Sequence, residues 1–368
     1  MVSLLSVRVN LPVLRITCIS DVNDFRGLDR DVSKKPTRLE DLAQRAGVSV
    51  STASRALNDS PSVNMRTKQA IWKLARELDY PFRRHMPAGP IGAKATISIV
   101  VPRPQGRDTR LSDPFFFELL TGVGDAARER ECDVHISHVA PASYDDLHMA
   151  MTTHRADGVI FVGQSNLHGA FNRLAETEKR FVVWGAELPE QRYCSVGSDN
   201  VTGGRRATQH LIRLGREKIV FLGQSDAPEV MQRFRGYRDA LLAAGLQADD
   251  DLVIPSHFDI ESAEASVEAL IKNGVPFDGI IAASDVVAFG ALRALQLAGV
   301  SVPGDVSVVG YDNVSFSRYS RPALTTVDQD MVAAGRLMLS KLLDFRGPQA
   351  RRSERLATDL IIRESCGG

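Results

Sequence analysis

Apolar residues recur along the chain with two periods, and the change between them falls near residue 95. Before it, Leu39, Leu42, Ala43 and Ala46 follow helical spacing, and Ile71, Leu74, Ala75 and Leu78 repeat that stripe after a polar interval. The interval contains residues 50–58 (VSTASRALN), in which Ala53, Ala56 and Leu57 can face inward while Ser51, Thr52, Ser54, Arg55 and Asn58 stay available outside. Gly47 is free to take the positive φ of a tight turn, and Ser49 stands where an N-cap is needed. Thr37 and Glu40 fit a capping box, residues 59–62 (DSPS) read as a turn, and Asn64 can cap a third helix running to about residue 78. A helix, a short glycine turn and a polar second helix make an all-α helix-turn-helix head over residues 36–80.

Beyond residue 95 the pattern alternates short, continuously apolar runs with amphipathic stretches. Strands are predicted at 96–101, 134–137, 158–162, 181–184, 218–222, 279–283 and 306–309, with helices near 116–130, 202–214, 230–244, 262–271 and 286–298. Apolar strands alternating with helices imply parallel sheets covered on both faces, and residues 95–368 are enough for two such α/β lobes. Between head and body, Pro81, Pro87, Gly89, Pro90 and Gly92 punctuate a linker over residues 81–94. Residues 1–35 are expected to be a disordered extension, or translation from an upstream start. Their apolar opening lacks a basic leader and is broken by Arg8, Asn10, Pro12 and Arg15, so neither a secretion signal nor a membrane span is expected.

Charge sharpens this division. The chain of 368 residues is formally neutral and 43% hydrophobic, as expected of a globular protein with a large core. Within residues 34–94, however, twelve Lys and Arg face five Asp and Glu, a surplus of seven that the body compensates. A basic module on an acidic body is the electrostatic footprint of a tethered DNA-binding head. Cys18, Cys132, Cys194 and Cys366 are far apart and form no CxxC pair, so reduced thiols in a cytoplasm are expected, with no metal and no cofactor.

Residues 36–58 (PTRLEDLAQRAGVSVSTASRALN) resemble the head of the lactose-repressor (LacI/GalR) family of bacterial transcription regulators. The similarity continues through DPFF at 113–116, RADGVI at 155–160, SVGSDN at 195–200, HLIRLG at 210–215, ASD at 283–285, VGYD at 309–312 and PALTTV at 322–327. The resemblance implies a homodimer that represses transcription from a pseudo-palindromic operator. It also implies a body with the two-lobed, type I periplasmic-binding-protein fold and a small-molecule effector, a sugar or sugar derivative, between the lobes. The expected lobes are 95–196 with 312–327, and 197–311 with 328–368. By position, Val50, Ser51 and Arg55 match the family's base-reading residues, and Ser49, Thr52, Ser54, Asn58 and Thr67 its phosphate contacts. The chemistry agrees, since arginine can grip guanine bidentately while short hydroxyls fix register on phosphate.

The linker departs from the family. Pro87 and Pro90 disfavour the usual hinge helix. Phe82 or Met86 can still act as an apolar wedge in the minor groove and Arg83 and Arg84 can hold phosphates, or the segment is a plain tether. In the body, Arg233 and Asp285 match the family's effector-binding arginine and aspartate, a pair that donates to and accepts from sugar hydroxyls. Phe115, Phe116, Trp184 and Phe258 are the aromatic candidates for the apolar face of a ring, with core packing as the alternative for each. Gly185 stands where relatives carry a polar group, and residues 103–112 read as a specificity loop over the cleft.

Other classes find less support. GVGDAA at 122–127 resembles a dinucleotide-binding string but is expected inside a helix, not at a strand-to-helix turn. His135 and His138 have opposite strand parity and cannot share a metal. No nucleophile elbow or HExxH pair is present, so no enzyme is expected. A solute-binding transport protein of the same body fold, and a regulator answering to a non-sugar ligand such as a nucleobase, remain the alternatives.

Overall fold

The computed structural model describes residues 39–57, 62–78, 95–102, 113–137, 139–153, 156–223, 226–343 and 352–367. It divides into two compact units, residues 1–87 and 88–368. The expectations for residues 1–35, the capping box at Thr37, Asn58, the linker with Phe82, Arg83, Arg84 and Met86, and the loop at 103–112 lie outside the described residues.

The first unit holds α1 (Leu39–Arg45), α2 (Val50–Leu57) and α3 (Met65–Glu77). Gly47 turns the chain between the first two with φ +66°. Leu42, Ala56, Val63, Ile71 and Ala75 form the buried core, ringed by Leu39, Ala46, Val48, Leu57, Leu74 and Leu78. Val63, in the turn before α3, is the one buried member that the helical stripes do not announce.

The second unit contains two six-stranded sheets. The first is built from β1 (Thr96–Val100), β2 (Asp133–Ile136), β3 (Gly158–Val162), β4 (Phe181–Trp184) and β5 (Ser195–Ser198), with α4 (Pro114–Glu129), α5 (Tyr144–Thr153) and α6 (His168–Thr177) between them. The second takes β6 (Ile219–Leu222), β7 (Val253–Ile254), β8 (Gly279–Ala282), β9 (Ser307–Asp312) and β10 (Thr325–Asp328), with α7 (Asn200–Arg213), α8 (Pro228–Ala243), α9 (Ile260–Lys272) and α10 (Asp285–Leu297). The chain then returns to the first sheet through α11 (Met331–Leu343) and β11 (Glu354–Leu356) and ends in the second with β12 (Asp359–Ile361). Strand orders are β11-β5-β4-β3-β1-β2 and β12-β10-β9-β8-β6-β7, parallel throughout except for β12 against β10. Each sheet is covered on both faces by an apolar cluster, which is why β3, β4, β6, β8 and β9 are buried along their whole length.

This path corrects the expected lobe membership. The segment 325–328 belongs to the second sheet, because β10 pairs with β9 from Thr325 opposite Val309 to Asp328 opposite Asp312. Residues 331–343 and 354–356 belong to the first lobe, where Ala334, Met338, Leu339 and Leu342 join the core of Leu119 and Val123. Three crossings therefore join the lobes, at 198–200, 328–331 and 356–359. Helices α5, α6 and α11 and strands β5, β7, β10, β11 and β12 were also not expected. Two- and three-residue strands carry no readable period, and α11 is so apolar that it reads equally as strand.

Helix contacts in both lobes rest on reciprocal glycines. A Cβ on Gly122 of α4 would lie 2.1 Å from Val332 O of α11, and one on Gly335 of α11 would lie 2.4 Å from Leu119 O of α4. Gly204 of α7 and Gly236 of α8 are matched in the same way, against Arg233 O at 2.2 Å and Val201 O at 2.1 Å. The string at 122–127 thus falls within α4 and serves helix packing. Gly122→Ala is expected to destabilise the protein by about 1–3 kcal/mol through overpacking. Gly124→Ala, on the same helix with nothing within 4 Å, is expected to stabilise it by about 0.5–1 kcal/mol. Equilibrium urea unfolding separates the two, and equal effects would contradict the packing argument.

Candidate functional site

On α2, Ala53 and Ala56 are fully buried, which turns Val50, Ser51 and Arg55 outward. Ser49 caps the helix, its Oγ accepting from Thr52 N at 3.1 Å and lying 3.0 Å from Ser51 Oγ and 2.8 Å from Thr52 Oγ1. Three hydroxyls therefore gather where the helix amides point outward, an environment suited to phosphate oxygens. One turn later Arg55 donates through Nε to Ser51 O at 3.1 Å and through a terminal nitrogen to Ser51 Oγ at 3.2 Å. The guanidinium is held against the exposed face with further N–H groups free for a planar acceptor. Thr67 N donates to Asn64 Oδ1 at 2.8 Å, so Asn64 caps α3 and places Thr67 in its first turn. Ser54 is half-buried on α2.

In the body, the strand ends of the second sheet bring Arg233 and Asp285 into one buried group with residues that were not anticipated. Arg233, 5% exposed on α8, donates from Nε to Asn200 Oδ1 at 2.9 Å and from its two terminal nitrogens to Ala283 O and, at 3.4 Å, to Gln329 Oε1. Its guanidinium lies 3.8 Å above the Tyr311 ring and 3.9 Å from Asp312. Asp312 has φ +118° and accepts from Gln329 Nε2. Ser198 completes the group through a short hydrogen bond to Gln329. Asp285, fully buried at the first turn of α10, accepts from Thr326 Oγ1 at 2.5 Å and from Val314 N at 2.9 Å. Gly310 is required beside it, since a Cβ there would lie 2.3 Å from the Asp285 carboxylate.

The aromatic candidates separate. Trp184 is 5% exposed within the first-lobe core, its ring 5.9 Å from that of Phe115, which meets Phe116 edge-on at 5.4 Å. Their visible role is packing. Phe258, 39% exposed just past β7, keeps its ring available. Beside Gly185 the side chain of Gln164 occupies the space a side chain would take, donating to Ala186 O at 2.6 Å and Tyr193 Oη at 2.8 Å. Of the unanticipated residues, Asp312 lies in the VGYD run already visible in the sequence. Ser198 and Asn200 lie likewise in the SVGSDN run and Thr326 in the PALTTV run, whereas Gln329 carries no local signal.

Burial dominates the electrostatics. It pushes Asp285 up to about 7 against the opposing effects of Thr326, Val314 and Arg363. It raises Asp312 well above the ordinary range although Arg233 opposes it, and it raises Asp113, the N-cap of α4, although Phe115 N donates to its carboxylate. Unfolded carboxyls ionise near pH 4. Between about pH 4 and 7 these three carboxyls therefore bind more protons in the native state than in the unfolded one, and their contribution to stability falls as pH rises through that window. Asp285→Asn is expected to flatten the decline, read as urea midpoints at pH 5 and 8. A difference between variant and wild type that is the same at both pH values would contradict it.

A family profile described as bacterial regulatory proteins, lacI family, matches residues 38–81, and one described as a periplasmic binding protein-like domain matches residues 208–366. The HTH-type transcriptional regulator CelR of Thermobifida fusca is 32% identical over 338 residues, spanning 90% of this chain and 98% of its own. A solved transcriptional regulator CelR–cellobiose complex is 31% identical with a TM-score of 0.64, covering 90% of this chain and 100% of that one. A LacI family transcriptional regulator from Enterococcus faecium with bound ribose is 28% identical with a TM-score of 0.63, covering 73% and 98%. Among the described residues no helix is long and apolar enough to cross a membrane.

Proposed function

The chain belongs to the lacI family of bacterial regulatory proteins, DNA-binding regulators of transcription, and from that premise we propose a cytoplasmic, homodimeric repressor released or recruited by a carbohydrate. The observation that carries this reading is the pairing, on one chain, of an outward helix bearing Ser51 and Arg55 with a buried donor–acceptor group at strand ends. Val50, Ser51 and Arg55 read bases in the major groove, and Ser49, Thr52, Ser54, Asn58 and Thr67 hold phosphates. Two heads of a symmetric dimer then match a pseudo-palindromic operator one helical turn apart.

Between the lobes, Arg233 donates to and Asp285 accepts from vicinal hydroxyls, with Phe258 against an apolar ring face. The aromatic pair Phe115 and Phe116 flanks the same end of α4, and Trp184 backs Phe115. Cellobiose and ribose, named with the two related structures, set the class to be screened. A transport binding protein of the same body is disfavoured by the lacI-type head at residues 38–81.

Fluorescence anisotropy on DNA from upstream of the protein's own gene tests the reading. For six to ten phosphate contacts, affinity is expected to fall by about 10³–10⁵ between 50 and 200 mM salt. Arg55→Ala is expected to lose about 1–3 kcal/mol of discrimination between operator and scrambled DNA while keeping the melting temperature. Salt-insensitive binding, or discrimination unchanged in the variant, would overturn the assignment.

A further inference from the structure

The arginine of the outward helix is held by one residue along one edge. Arg55 lies a turn after Ser51 on α2, and its side chain folds back towards the start of the helix, the direction long helical side chains favour. There Nε donates to Ser51 O at 3.1 Å and Nη2 to Ser51 Oγ at 3.2 Å. These two nitrogens form one edge of the planar guanidinium. The other edge, Nη1 with the second hydrogen of Nη2, is thereby turned away from Ser51 as a pair of parallel N–H groups.

The clamp is neutral and itself anchored. Helix α2 carries no acidic residue, so it offers the guanidinium only uncharged acceptors and leaves its charge unmatched on that helix. Ser51 Oγ lies 3.0 Å from Ser49 Oγ, which in turn lies 2.8 Å from Thr52 Oγ1 and accepts from Thr52 N at 3.1 Å. A run of hydroxyls therefore joins the cap of α2 to the arginine. With Arg55 on one side and Ser49 on the other, the Ser51 hydroxyl is engaged by the protein itself. Ala53 and Ala56, fully buried, fix the helix face on which all of this stands.

We propose that Ser51 is the positioning residue for Arg55: its carbonyl and hydroxyl hold the Nε–Nη2 edge, so that Arg55 meets DNA with its Nη1–Nη2 edge and grips guanine N7 and O6 end-on. The inference rests on the proposed role of α2 as the base-reading helix, and within that role it makes the share of Ser51 an indirect one. Folding back by one turn brings the guanidinium level with the first residues of α2, the part of a recognition helix that meets base edges. An unclamped arginine offers two forks and many rotamers, each with its own register on a base pair. A clamped one offers one fork in one place, and its orientation is settled before DNA arrives.

The test uses the full chain and a pool of DNA duplexes of randomised sequence, with the base preference at each position read by sequencing the bound fraction. Wild type is expected to enrich paired half-sites carrying a guanine whose preference Arg55→Ala abolishes. Ser51→Ala is expected to lower the preference for that guanine about two- to tenfold, the effect of one hydrogen bond, and to leave the other positions unchanged. Ser51→Thr keeps the hydroxyl and is expected to keep the preference, while Ser51→Val, of the same shape without the hydroxyl, is expected to behave as Ser51→Ala. In the Arg55→Ala background, Ser51→Ala is expected to change nothing further at that position. Both residues are exposed on α2, so every variant is expected to melt with wild type. An unaltered guanine preference in Ser51→Ala and Ser51→Val overturns the proposal. So does a change at a different base pair, since Ser51 then reads a base itself. A wild-type chain that enriches no sequence overturns the reading role of α2 together with this inference, which sets that failure apart from the other two.

Discussion

A guanidinium buried where two lobes meet must find its partners in place, because an unpaired buried charge costs several kcal/mol. Arg233 meets that demand with Asn200, Ala283, Gln329, Asp312 and the face of Tyr311. Those partners come from two of the three crossings and from two strand ends, so the arginine is satisfied only when the crossings run as they do. The reciprocal glycines of α7 and α8 bring the helix of Arg233 close enough to reach them. The acid side of the group accepts the cost differently. Asp285 and Asp312 are held back from ionising by the burial that Arg233 shares, so charge in the cleft responds to anything that changes solvent access there.

The head obeys another regime. Among its described residues seven apolar side chains are buried, Leu42, Ala43, Ala53, Ala56, Val63, Ile71 and Ala75, a small core for three helices. Its working face is organised by contacts three and four residues apart, Ser49 to Thr52 and Ser51 to Arg55. A local scaffold of this kind keeps its reading surface whatever the cleft contains.

The same contrast explains what was legible beforehand. Stripes such as Leu39, Leu42 and Ala43, the turn at Gly47 and the caps Ser49 and Asn64 are local, and the head is readable from them. Long apolar strands were visible for the same reason. Lobe membership was not, because whether Thr325 pairs with Val309, or α11 packs on Gly122, is settled by partners far along the chain. Arg233 and Asp285 were proposed as effector contacts through a family resemblance, whereas Gln329, which lies 96 positions from the arginine it satisfies, was not. Trp184, an attractive ligand stack by its position, is drawn into the core by Phe115.

An effector that acts on DNA binding through the body must obey reciprocity. Titration calorimetry of cellobiose, or of whichever carbohydrate a thermal-shift screen returns, should be run with and without saturating operator DNA. The effector's Kd should change by the same factor by which the effector changes the operator's Kd, between about 5- and 150-fold for ordinary coupling. An effector that binds with one Kd in both conditions would show that cleft and head are energetically separate, and would contradict the account.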